Sequence, residues 1–126
     1  IDEFNLTHLC VWKGWIDDDE KLSLLNECQA LIIASLWEGF GLPALEAMAC
    51  GTPAIASTRG ALPEVMGDYA YYINPFNIQS IAFAMNAVIN DKKCFEKSLQ
   101  EGPSRAQSFN WPDTARTIGK IIQEID

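Results

Sequence analysis

Three short runs, "ALIIAS" (30–35), "TPAIAS" (52–57) and "YAYYI" (69–73), are apolar or aromatic almost throughout, with no polar residue at every second place. A strand with one wet face alternates; a strand covered on both faces does not. Both-face burial is the mark of a parallel sheet with helices on either side. The segments between the runs have helical character. "DDDEKLSLLNECQ" offers Asp17 or Asp18 as a cap, acids in the first turn, and Leu22, Leu25 and Cys28 on one face. The stretch from Pro43 to Gly51 sets Pro near a helix start and Gly at its stop, with Leu45, Met48 and Ala49 on one face. "ALPEVMG" repeats that grammar in miniature. "IQSIAFAMNAVIND" carries a stripe of Ile78, Ile81, Met85 and Val88. A further helix over "DKKCFEKSLQE" is expected to break at Gly102-Pro103, and Asn110 to cap a last helix over 111–125. "THLCVWKGWI" predicts one more strand, over Leu9–Lys13, with Gly14 starting its exit.

The reading is therefore one α/β domain, or part of one, with an open parallel sheet and flanking helices. Its 126 residues, 48% of them hydrophobic, can bury one sizeable core. A formal net charge of −8 argues against nucleic acid or an anionic membrane surface as the main partner. The four cysteines are widely spaced and there is a single histidine, so no zinc cluster is expected, and reduced cysteines suit a cytoplasmic protein. No run is long and apolar enough to span a bilayer as a helix, and no signal peptide is expected.

The segment after "ALIIAS" carries chemistry. In an open parallel sheet, ligands bind beyond the carboxyl ends of the strands. There Glu38 precedes Gly39-Phe40-Gly41-Leu42, and Glu46 follows on the next helix, eight residues from Glu38. The glycines let backbone approach a ligand, and the helix start points free N–H groups at it. Glu46 leans back towards the same mouth, where a carboxylate suits vicinal sugar hydroxyls. A solvated Glu38 and a Glu46 favoured by the helix dipole would explain the same spacing, because a G-x-G loop alone is weak evidence. Glu64 reads as a helix-start acid, Arg59 as a solvated arginine, and Trp37 and Phe40 as packing residues.

"ALIIASLWEGFGLPALEAMACGTPAIAS" resembles the E-x7-E signature of retaining glycosyltransferases of GT-B fold, the glycosyltransferase family four type. "VWKGWI", "ALPEVMGDYAYYINPFN" and the closing Gly102, Arg105, Ala106, Phe109 and Trp111 extend the resemblance in the same order. Ala34 departs from the proline common before Ser35. The resemblance implies a Rossmann-like partial domain, the later half of a GT-B C-terminal domain. It implies transfer of a sugar from a nucleotide-diphosphate sugar with retention and without bound metal. By that pattern Glu38 faces the donor sugar. The N–H groups of Phe40, Gly41 and Leu42, with Gly39, hold sugar and diphosphate oxygens, and Glu46 takes the ribose hydroxyls. The base lies near Trp15 and Ile16. An acceptor domain, and an Arg/Lys pair that clamps the diphosphate, are expected outside this chain. The acceptor domain would also make any peripheral membrane contact. The isolated chain is expected to be inactive; the alternatives are a non-catalytic nucleotide-sugar-binding module or inactive fragment, and an unrelated α/β binding domain such as a phosphorylation receiver, whose acidic cluster and later lysine the sequence does not place. The strand order 3-2-1-4-5-6 would leave "ALIIAS" with an open edge that could pair with a second copy or with "LCVWKG", or whose gap is owed to residues outside this sequence.

Overall fold

The computed structural model describes residues 1–125, with the backbone alone at Phe95. Three parallel strands, β1 (Leu31–Ile33), β2 (Ala54–Ser57) and β3 (Ala70–Ile73), form a sheet in the order β1-β2-β3. Ile32 stands opposite Ile55, and Ile55 opposite Tyr71. The helices are α1 (Asp18–Glu27), α2 (Leu42–Ala49), α3 (Leu62–Met66), α4 (Ile78–Asn90), α5 (Lys92–Gln107) and α6 (Trp111–Ile125). Asp17 caps α1 by accepting from the Glu20 N–H, and Asn77 caps α4 through the Ser80 N–H. Asn110 caps α6, its side-chain oxygen accepting from the Asp113 N–H at 2.9 Å.

The central strand explains its own composition. Ala54 and Ala56 face one core, with Ile33, Ala44, Met48, Leu62, Met66 and Ala106 from β1, α2, α3 and α5. Ile55 faces the other, with Ile73, Ala84 and Val88 from β3 and α4. Every residue of β2 is buried, so neither face selects polar side chains. The helical stripes sit slightly off the expected ones. On α2 the buried face is Ala44, Ala47 and Met48, while Ala49 is exposed. On α4 it is Ala84 and Val88 with half-buried Ile81, while Ile78 and Met85 are exposed. Alanines share these buried faces with Met48 and Val88, which a reading by residue size does not register. Similarly, Leu22 is exposed and Leu25 carries the burial on α1.

Two expectations are corrected. The first is the strand over Leu9–Lys13. Residues 7–9 form a turn of 3-10 helix and 10–16 have no regular structure, with Leu9, Val11, Trp12 and Trp15 all exposed. A strand persists only where a neighbour satisfies its N–H and C=O groups, and none of the three strands pairs with it. The second is the break at Gly102-Pro103: α5 runs through it to Gln107. Gly102 lies against α2 so tightly that a Cβ there would stand 2.8 Å from the Met48 carbonyl oxygen. The glycine thus serves close helix packing, and that packing outweighs the roughly 3 kcal/mol helix penalty of Pro103.

The sheet order agrees with the expected places of its strands. Among the described residues the outer edge of β1 has no strand beside it, and the segment 9–13 has not moved in to cover it. Ile32, which points to the α4 side, is 43% exposed.

Candidate functional site

The loop from β1 to α2 is held in part by its neighbours. The Ala61 N–H donates to the Glu38 carbonyl at 3.0 Å. Gly60, at φ +63°, lies so close to Glu38 that a Cβ would collide with its carbonyl oxygen and stand 2.7 Å from its nitrogen. Gly41 caps α2 in the left-handed conformation, φ 89° and ψ 52°, and a Cβ there would meet Leu62 at 2.6 Å. Both glycines are required: left-handed backbone costs other residues energy, and no room exists for a side chain. The start of α3 thereby fixes the Glu38–Gly41 loop.

Among the described residues the N–H groups of Gly39, Phe40, Gly41 and Leu42 donate to no backbone carbonyl. Pro43 has no N–H to offer. The first helical donors back onto the cap are Ala44 and Leu45, both to the Gly41 carbonyl. Four consecutive donors are therefore free at the positive end of the α2 dipole, an arrangement suited to an anion.

The two carboxylates bracket these donors differently. Glu38 is half-buried and accepts a hydrogen bond of 2.7 Å from the Ser35 hydroxyl. Glu46, in the second turn of α2, accepts from the Lys21 ammonium of α1 at 2.9 Å. Lys21 also reaches Asp18, at 3.1 Å. The Glu46 hydrogen bond is the main reason that the Lys21 ammonium is held above its ordinary pKa, with Asp18 adding to it.

Aromatic residues flank the loop. Phe40 packs edge-to-face on Phe109 at 5.7 Å while remaining 40% exposed. Trp37 does not; it is exposed, which overturns its reading as a packing residue. The Arg105 guanidinium lies 4.8 Å over the Phe109 ring and donates to the Glu64 carbonyl at 3.1 Å, tying α5 to α3. A cavity of about 470 Å³ opens beside the loop, lined by Phe40, Leu42, Leu45, Phe109, Trp111 and Thr114 among others. Arg59 is exposed and lies 5.8 Å over Phe76. Trp15 is 89% exposed and Ile16 half-buried, on the segment without a sheet partner.

Three residues at this site escape a reading of the sequence alone. Ser35 and Lys21 are ordinary polar residues until the fold brings them to Glu38 and Glu46. Gly60 was legible in principle, as a glycine just before a short Pro-containing helix.

The sequence model for "Glycosyl transferases group 1" matches residues 1–105. The serotype-specific mannosyltransferase WbdA of Escherichia coli is 34% identical over 105 residues, which is 83% of this chain and 13% of WbdA. The MMP alpha-(1->4)-mannosyltransferase of Mycolicibacterium hassiacum is 33% identical over 98% of this chain and 31% of its own length. The chain thus spans a third or less of the length of these relatives. The sucrose-phosphate synthase of Thermosynechococcus elongatus superposes with a TM-score of 0.84 at 29% identity, over 98% of this chain and 32% of the synthase. The C-terminal domain of LpcC, a glycosyl transferase group 1 family protein of Francisella tularensis, superposes at 0.71 with 34% identity, over 85% of this chain and 56% of that domain. With its parallel sheet and flanking helices, the chain belongs to the group 1 glycosyl transferases and corresponds to part of the C-terminal domain of a GT-B enzyme.

Proposed function

We propose that this chain supplies the donor side of an enzyme that transfers a sugar from a nucleotide-diphosphate sugar with retention of anomeric configuration. The observation that carries the proposal is the row of free N–H groups from Gly39 to Leu42, set at the start of α2 between Glu38 and Glu46. Diphosphate and sugar oxygens are the acceptors such a row suits. Glu46 accepts from the ribose hydroxyls. Glu38 faces the sugar and stabilises the positive charge that develops at the anomeric carbon as the diphosphate leaves. Trp15 and Ile16 contact the base.

The reaction uses no bound metal in this reading, and the acceptor binds to a part of the protein outside this chain. The chain alone binds donor and does not turn it over. A cytoplasmic location fits the four unpaired cysteines.

Steady-state kinetics of the complete gene product with titrated donor test the division of labour. Glu38→Gln lowers kcat by a larger factor than it raises donor KM. Glu46→Gln raises donor KM, by the equivalent of roughly 1–3 kcal/mol for a lost charged hydrogen bond. Equal effects at both positions, confined to KM, would refute these roles.

A further inference from the structure

Lys21 is the base that follows four consecutive acids, Asp17 to Glu20, at the start of α1. Its ammonium bridges two helices, binding Asp18 of α1 at 3.1 Å and Glu46 of α2 at 2.9 Å. Both Lys21 and Glu46 are in the early turns of their helices, and helical side chains lean towards the N-terminus. That lean carries the Glu46 carboxylate back towards the α2 start, where the N–H groups are free.

We infer that Lys21 is a positioning residue for donor binding: it fixes the Glu46 carboxylate in one orientation and balances its charge beside the diphosphate. This rests on the reading of Glu46 given above. A free glutamate samples several rotamers, and ordering it at the moment of binding costs conformational entropy. With Oε1 bound to Lys21, Oε2 is left pointing at one place, ready for a hydroxyl. The charge matters as well. A donor diphosphate approaching Glu46 and the acidic first turn of α1 meets like charge, and Lys21 offsets it at contact distance. The pair is more than a third exposed on both sides, so solvent screens it and the effect is modest.

The test is steady-state kinetics of the complete gene product with donor as the varied substrate, in a two-by-two set of Lys21→Gln and Glu46→Gln. Lys21→Gln raises donor KM about two- to fivefold, by a larger factor than kcat falls. Lys21→Arg restores most of the difference. In the Glu46→Gln background Lys21→Gln adds little, because its target is gone. If Glu46→Gln weakens donor binding while Lys21→Gln leaves KM unchanged, the positioning role is wrong and the reading of Glu46 stands. If Lys21→Gln lowers kcat and thermal stability together and Lys21→Arg does not restore them, Lys21 is structural and the inference fails. If Glu46→Gln leaves donor KM untouched, both fall.

Discussion

Replacing Gly60 by alanine probes how the Glu38 loop is held. The backbone there is left-handed, φ +63°, which costs an alanine roughly 1–2 kcal/mol. The new Cβ would then overlap the Glu38 carbonyl oxygen and crowd its nitrogen at 2.7 Å. These are backbone atoms and cannot rotate aside, so the loop must shift. That shift stretches the Ala61 N–H bond to the Glu38 carbonyl, now 3.0 Å, for about 0.5–1.5 kcal/mol more. The expected loss is about 1.5–3.5 kcal/mol, read as a lower urea midpoint at unchanged slope. Gly39→Ala is the control: its Cβ would meet nothing within 4 Å, and its stability should stay within about 0.5 kcal/mol of the parent. Should Gly60→Ala prove as stable as Gly39→Ala, the claim that the start of α3 pins Glu38 is wrong.

Ile55→Ala empties the point where β2 meets α4, at a side chain with no exposure; it should cost about 2–5 kcal/mol in denaturation, and a loss under 1 kcal/mol would mean that this face is not a packed core. Tyr71→Phe removes the phenol that donates to Asp91 at the start of α5. That bond is the leading cause of a phenol held well above its ordinary pKa of 10 and of an Asp91 carboxyl held below its ordinary 3.8. The depressed carboxyl stabilises the fold above its unfolded pKa and loses that effect as pH falls through its folded value. The raised phenol stabilises the fold below pH 10 and loses that effect as pH rises from there. Thermal melts should therefore show the parent above Tyr71→Phe by most between about pH 5 and 9, with the gap closing at both ends; a gap independent of pH would rule the bond out as its source.

The sequence was most legible where one constraint acted alone. "TPAIAS" had to be a buried parallel strand because both its faces are covered, and the caps at Asp17 and Asn110 follow from side-chain chemistry within three residues. It was least legible where the outcome depended on what lies alongside. "LCVWKG" has the composition of a strand, but composition supplies no hydrogen-bonding partner. Gly102-Pro103 has the composition of a break, but Met48 of α2 needs the missing Cβ more than α5 needs an uninterrupted ladder. On the inner faces of α2 and α4 alanines stand beside Met48 and Val88, because what packs alongside, not side-chain size, decided which positions were covered.

The same distinction runs through the candidate site. The two glutamates, the glycines and the helix start are local features, so their order along the chain announced them. What holds them is not local. Gly60 lies 22 positions after Glu38 in sequence, and Lys21 lies 25 before Glu46. Neither belongs to the span between the two carboxylates. Even so, one forms the floor under the first and the other is bound to the second. The loop from β1 to α2 is thus a short segment whose surroundings are set from α1 and from the β2–α3 connection. That is why its glycines are needed at fixed places, and why a change at Gly60 or Lys21 should be felt at Glu38 and Glu46 before it is felt anywhere else in the sheet.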